Sequence, residues 1–381
     1  MRTYTIGVIG AGFMGRTHAY GWTVLPFFYN KLGYRCVLKG VCTSRPETAE
    51  AARQELGFER AYPDAHAMIA DPEIDVIDIA SPNTFHKQAI LAAARAGKPV
   101  YCDKPLTGNL ADALEIERRF DRLSDPARAG QMTLQYRFYP ATLRARQMIE
   151  AGAIGDIICF RVAYLHSGNV APGKRLAWKD LRTYGAGVLY DLGSHAVDLL
   201  TWLCGAGLRE VYAQQKTLHR RRPAYDNPAM LVEQDSDDMT LINATLTSGA
   251  IGSIEVSKIA TGAQDELRFE IHGTRGALRF NLMQANYLDY FDMADPETPL
   301  GGTSGFKRIH CVQRYDAPAG FPAPKGTIGW LRGHVHCLYS FIDAVHAGRP
   351  FDPSLARGIE LEKWLAAIAQ SAQTHSAVTI D

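Results

Sequence analysis

The six residues Gly10-Ala11-Gly12-Phe13-Met14-Gly15 constrain this chain more than any others. They directly follow the apolar run 5–9 and lead into a helix-like stretch, 16–25. A buried strand, a G-x-G-x-x-G turn and a helix form the opening unit of a dinucleotide-binding sheet. Gly10 allows the tight turn, Gly12 lets the backbone approach a pyrophosphate, and Gly15 lets helix and strand pack closely. The helix N-terminus adds N–H groups and a partial positive charge for the phosphates. Gly10, Gly12, Phe13, Met14 and Gly15 are therefore the expected nucleotide-facing residues. An ordinary glycine-rich turn of a sheet protein is the competing reading, and the strand before and helix after weigh against it.

With 381 residues the chain is long enough for two domains. Lysine and arginine number 41 against 40 acidic residues, so no charge excess recruits nucleic acid or an anionic membrane. No stretch is long and apolar enough to span a bilayer, and the opening strand leaves no room for a signal peptide. The seven cysteines are scattered, with no C-x-x-C pair. That predicts reduced thiols in a cytoplasm, with neither a disulfide frame nor a zinc site. No metal is expected.

Up to about residue 125 strand-like and helix-like segments alternate, as a parallel α/β sheet requires. Strands are expected at 5–9, 36–42, 76–80, 100–102 and 131–134, and helices at 47–56, 86–96 and 110–120. A polar loop containing Pro126, at 121–130, stands near the domain boundary. Beyond residue 150 alternating strands dominate, at 157–165, 210–216, 239–247, 250–257, 267–272, 277–282 and 287–292. One helix, 188–203, interrupts them, and helices at 330–347 and 358–371 close the chain.

The expected architecture is α/β: a Rossmann dinucleotide-binding domain over 1–130, then an α+β domain over 131–381 with a large open, mostly antiparallel sheet. The closing helices are free to pack back on the first domain. The open face of such a sheet needs a cover, and a second copy of the chain is the usual one, as homodimer or homotetramer.

Three further elements carry chemistry. Ser81-Pro82-Asn83 ends the third expected strand, with His86 just beyond, at the sheet edge where doubly wound folds bind ligands. Asn83 reads either as a helix cap or as a partner for ribose or nicotinamide. Asp103-Lys104-Pro105 ends the next strand. A lysine there can donate to a substrate hydroxyl and stabilise alkoxide as it forms, although most lysines are solvated surface. In the run Gly185 to His195, Asp191 and His195 stand at i and i+4 and share a helix face, with Asp198 on the same stripe. Such a pair is either an ordinary solvated or capping pair, or a proton-exchanging histidine made more basic by a carboxylate.

These elements together resemble the Gfo/Idh/MocA oxidoreductases. The matching positions are Gly10 to Gly15, Ser81 to Asn83, the family's E-K-P motif as Asp103-Lys104-Pro105, and its G-x-x-x-D-x-x-x-H motif from Gly187 to His195. Tyr136-Arg137, Glu150 to Gly155 and His272 to Gly276 agree with the family's domain junction and a late sheet turn. The likeness covers nearly the whole chain. The opening Gly12 to Tyr20 and Pro26-Phe27-Phe28 are most similar to the levoglucosan-oxidising branch.

The resemblance implies an NAD(P)-dependent dehydrogenase of a sugar, anhydrosugar or cyclitol. Lys104 would anchor the substrate hydroxyl, His195 would take its proton and Asp191 would orient both. Ser81, Asn83, His86, Asp103 and Lys104 would line the cofactor. Asp103 departs from the family's glutamate, keeping the charge on a shorter side chain.

A second departure concerns the ribose. An NAD-selective site carries an acidic residue after the second strand, where this chain has Thr43-Ser44-Arg45. Thr43 or Ser44 can donate to a 2′-phosphate and Arg45 can pair with it, which favours NADP slightly over NAD. Otherwise Arg45 is simply solvent-exposed. Tyr136, Arg137, Tyr164, His166, Trp178 and Tyr184 supply hydroxyls and rings for a polyol, or serve as core aromatics. Two alternatives stay open: an enzyme that keeps and recycles its bound cofactor, and a non-catalytic nucleotide or sugar sensor.

Overall fold

Six strands realise the expected parallel sheet in the computed structural model, which describes residues 1–123, 129–185 and 187–380. Strands β1 (Arg2–Ile9), β2 (Tyr34–Cys42), β3 (Arg60–Ala61), β4 (Val76–Ile79), β5 (Val100–Cys102) and β6 (Gly130–Met132) stand in the order β3-β2-β1-β4-β5-β6. All neighbouring pairs are parallel. This is the doubly wound order, whose switch point lies between β1 and β4, where a dinucleotide binds. Helices α1 (Phe13–Phe28), α2 (Pro46–Leu56), α3 (Ala65–Ala70), α4 (His86–Arg95) and α5 (Leu110–Leu123) make the crossovers. The expected loop at 121–130 is partly regular structure: 121–123 end α5 and Gly130 opens β6. Residues 124–128 of that expectation lie outside the described residues.

The chain divides into two compact units. The first comprises Met1–Phe138, Tyr315–Pro324 and Gly329–Glu362. Its core joins Ile6, Val8 and Val76 of the sheet to Trp22 and Leu25 of α1. Leu338, Phe341 and Ile342 of the helix Trp330–Ala347 complete that core. Burying side chains of this size stabilises by about 1.5–3 kcal/mol each. A methyl at Gly21 would meet the Leu338 side chain at 2.2 Å, so the two helices approach at a residue without a side chain.

In the second unit, β7 (Ile157–Leu165), β8 (Leu208–Lys216), β11 (Met239–Leu246), β12 (Ile251–Ser257), β13 (Glu266–Gly273), β14 (Gly276–Asn281), β15 (Tyr287–Asp292), β16 (Lys307–His310) and β17 (Val378–Thr379) form one sheet. Its order is β16-β15-β14-β13-β7-β12-β11-β8-β17. The pairing is antiparallel except for β7 with β12. A small hairpin joins β9 (Arg221–Pro223) to β10 (Leu231–Glu233). Period-2 burial is clear in β11, where Thr240, Ile242, Ala244 and Leu246 are buried and Leu241 and Asn243 exposed. Helix α6 (Pro140–Glu150) packs on α7 (Ser194–Cys204), and α7 on β7 and β12. The expected helix 188–203 is not uniform. Its first turn, Leu189–Gly193, is a π-helix that continues into α7. A wide turn of that kind adds a residue to the helix and is often found at functional sites.

Candidate active site

The glycine turn meets the geometric demands of a pyrophosphate cradle. Gly10 has φ +97°, and a Cβ there would lie 2.6 Å from the Ala80 carbonyl oxygen. A Cβ on Gly15 would lie 2.0 Å from the Gly10 carbonyl oxygen, so only glycine lets α1 start this close to β1. Gly12 caps α1 without any side-chain hydrogen bond and has open space where a Cβ would stand. The first-turn N–H groups of α1 are thus left for phosphate, and the turn fits a dinucleotide. Phe13 beside it is 73% exposed, its ring 5.6 Å from that of Trp330. Nothing local in the sequence signals Trp330, which arrives from more than 300 residues away.

After β2, the Thr43 and Thr48 hydroxyls lie 2.5 Å apart, and both approach the Arg45 carbonyl oxygen. Ser44 and Arg45 are exposed, and Arg45 has no carboxylate partner among the described residues.

The loops after β4 and β5 are fastened to each other. His86 is fully buried, and burial lowers its pKa, keeping the imidazole neutral. Its Nε2–H donates to the Ser81 carbonyl at 2.8 Å. Nδ1 lies 3.6 Å from the Cys102 sulfur and 3.1 Å from the Pro105 carbonyl. The Cys102 thiol, which burial keeps protonated, donates to the Asp103 carbonyl at 3.3 Å, and the imidazole ring lies between the Ser81 and Pro105 carbonyls. His86 therefore supports the cofactor loops from beneath. Asn83 is buried at the start of a short 3₁₀ turn, Asn83–Phe85. Asp103 accepts the Lys104 N–H at 2.9 Å, a local bond that its short side chain suits. Two residues past Pro105, the Thr107 N–H donates to the buried carboxyl of Glu362.

Beneath the same strand ends lies a polar group that sequence reading does not reveal. Asp78, fully buried on β4, accepts from His18 Nδ1 at 2.8 Å and Trp22 Nε1 at 2.7 Å. Burial opposes a charge on His18, yet the Asp78 carboxylate prevails and raises its pKa. The His334 ring stands 6.4 Å from that of His18. His334 is held neutral, first by burial and then by the charges of His18 and Lys104.

In the second unit the π turn and α7 carry Asp191 and His195 on one continuous helical segment. His195 is buried, its ring 6.1 Å from that of Tyr164. Tyr164 Oη and His166 Nε2 both approach Asp265 Oδ1, at 2.7 and 3.0 Å. Asp191 is flanked by Lys258 at 3.1 Å and Lys179 at 3.4 Å. Trp178 and Tyr184 lie on neighbouring 3₁₀ turns, with Lys179 Nζ 5.6 Å from the centre of the Trp178 ring. Asp198 is buried one turn beyond His195. Tyr136 and Arg137 belong to the first unit, where both are buried and Arg137 donates to Asp352 at 3.0 Å. Lys179, Lys258, Asp237 and Asp265 escape sequence reading because each stands outside the recognisable motifs. No cluster of three metal-ligating side chains occurs among the described residues, and none of their helices is long and apolar enough to cross a membrane.

Fold and site together define a two-part oxidoreductase with an NAD(P)-binding Rossmann domain. The profile of the oxidoreductase family with NAD-binding Rossmann fold matches residues 4–130, and that of the GFO/IDH/MocA C-terminal domain matches 142–279. The chain is 31% identical to levoglucosan dehydrogenase of Pseudarthrobacter phenanthrenivorans, over all of this chain and 99% of that protein. It is 26% identical to myo-inositol 2-dehydrogenase of Thermotoga maritima, over 72% of this chain and 74% of that one. The solved structure of levoglucosan dehydrogenase with NADH and levoglucosan superposes with a TM-score of 0.92 at 30% identity, covering both chains fully. The chain belongs to the Gfo/Idh/MocA oxidoreductase family, as its motifs imply.

Proposed function

We propose that this protein is an NAD(P)-dependent dehydrogenase acting on a secondary alcohol of a sugar, anhydrosugar or cyclitol. The observation that carries the reading is the joint presence of an open pyrophosphate turn and the Asp191–His195 segment, in a chain related end to end to a levoglucosan dehydrogenase. The bound nicotinamide supplies the hydride acceptor. Lys104 donates to the carbinol oxygen and stabilises its growing negative charge. His195 takes the O–H proton, and Asp191 accepts from a substrate hydroxyl and orients it. Tyr136, Tyr164, His166 and Trp178 contribute ring faces and hydroxyl partners. Arg137 is tied to Asp352 and contributes through placement of its turn.

Exposed Ser44 and Arg45, with Thr43 and without an acidic residue, suit a 2′-phosphate and favour NADP. The open face of the large sheet, with Ile158, Tyr212, Leu241 and Ile251 exposed, suits pairing with a second copy as dimer or tetramer. Seven free cysteines suit a reducing cytoplasm.

The test is formation of reduced nicotinamide, followed by absorbance, with monosaccharides, levoglucosan and inositols, each with NAD and NADP. Turnover with one of them, and its loss in Lys104→Ala and His195→Ala variants that still bind cofactor, is the expected result. Wild-type rates in either variant would sink the assigned roles. Silence throughout with cofactor retained would instead support a recycling enzyme or a sensor.

A further inference from the structure

We propose that Lys258 is a positioning residue for Asp191, fixing the orientation and the negative charge with which that carboxylate meets the substrate. The inference rests on Asp191 belonging to the substrate site, as argued above. Lys258 follows the last residue of β12, and its backbone is held on both sides. Its N–H donates to the Asp238 carbonyl at 2.8 Å, and its own carbonyl accepts from Asn169 N–H at 2.8 Å. Asp238 is fully buried and anchored in turn by Asn169 Nδ2 at 2.7 Å, Gln234 Nε2 at 2.9 Å and the Leu218 N–H at 2.9 Å. The base of the Lys258 side chain is thus clamped to a buried polar core.

From that base the side chain, only 10% exposed, reaches Asp191 with its ammonium 3.1 Å from Oδ2. Lysine is almost never buried unless paired, so Asp191 is what makes this burial tolerable. Lys179, 45% exposed, approaches the other carboxylate oxygen, Oδ1, at 3.4 Å. One lysine is rigid and sheltered, the other loose and wet. The sheltered one is screened less by solvent and holds one geometry, so it supplies most of the orientation.

The remaining charges around the pair come from several elements. Lys174 feels the charges of Asp180, Lys258, Arg222 and Asp238, Asp237 accepts the Leu189 N–H of the π turn and feels Lys258, and His166 with Asp265 stands at the end of β7. Losing the ammonium at 258 leaves Asp191 easier to protonate, and also leaves an imidazole at 195 easier to protonate. Both effects require a higher pH before the site becomes competent, so the two shifts share one sign.

The experiment compares Lys258→Gln, Lys258→Arg and Asp191→Asn with the wild type, measuring kcat and KM for the best alcohol across pH 5 to 10. Cofactor binding is followed separately by nucleotide fluorescence, as a check on the first unit. Lys258→Gln is expected to move the acid limb of kcat/KM up by about one pH unit and to lower the plateau kcat about tenfold, a loss of about 1.4 kcal/mol. Cofactor affinity should stay unchanged, and Lys258→Arg should restore most of both losses. An unshifted acid limb with wild-type kcat in Lys258→Gln would overturn the inference while leaving the proposed activity standing. An Asp191→Asn variant of full activity would overturn both. Should Lys258→Gln fail to fold, Lys258→Met, which keeps the buried stem without the charge, carries the same test: a raised acid limb supports the inference and a wild-type pH profile overturns it.

Discussion

The carboxylate of Asp237 occupies the space that any side chain at position 187 would need. Gly187 has φ +113°, and a Cβ there would lie 2.1 Å from Asp237 Oδ1. The same carboxylate accepts the Leu189 N–H at 3.1 Å and the Thr240 hydroxyl at 2.5 Å, so it holds the start of the π turn. Gly187→Ala combines a disfavoured backbone conformation, about 1–3 kcal/mol, with displacement of that buried carboxylate. We expect kcat/KM to fall about a hundredfold, the scale of a 1 Å misplacement. Cofactor binding by the first unit should persist in nucleotide titrations. Near-normal kcat/KM would show that the turn tolerates a side chain.

Glu362 gives stability a pH dependence. Burial pushes its carboxyl up to about 8, from 4.5 in a solvated chain. Between those values the folded protein keeps a proton that the unfolded chain has released, so stability falls as pH rises from 4.5 to 8 and then levels. Glu362→Gln keeps the acceptor for the Thr107 N–H and removes the titration. Its Tm should match the wild type near pH 5 and exceed it by about 5 °C at pH 9. Parallel Tm curves for the two proteins would refute this.

The Asp78 carboxylate is shared by two buried donors, His18 and Trp22. Truncating one member of such a buried set leaves the rest uncompensated and costs about 3–5 kcal/mol. Asp78→Ala should lower the urea midpoint accordingly, and Asp78→Asn, which can still accept from Trp22, should lose less. Equal, small losses in both variants would argue against a charged pair.

Arg45 tests cofactor choice. If it reads the 2′-phosphate, Arg45→Ala raises KM for NADP about tenfold, near 1.4 kcal/mol, and leaves KM for NAD within about twofold. Equal changes for both cofactors in steady-state kinetics would assign Arg45 to general surface charge.

How far these features were legible depends on how local they are. Gly10, Gly12 and Gly15 needed only their spacing behind an apolar run, because the steric demands of the turn lie within six residues and the adjoining Ala80. Seven of the nine strands of the large sheet announced themselves through alternation, since one face of each is buried, whereas the short β16 and β17 did not. The Lys104 and His195 motifs were recognisable as patterns. The pairing of Asp191 with Lys258 was not, since 67 residues separate them in the chain.

By itself, then, the sequence determined the parallel nucleotide-binding sheet and most of the antiparallel partner sheet, both set by short-range periodicity and glycine sterics, while Lys104, Asp191 and His195 stood out through the family resemblance. Tertiary structure alone decided that the helix Trp330–Ala347 completes the first core, that a π turn carries Asp191, that His86 supports loops from below, and that a buried lysine meets Asp191. Those outcomes depend on which distant side chains share a desolvated space, and a hydrophobic period of two or 3.6 residues contains no information about that.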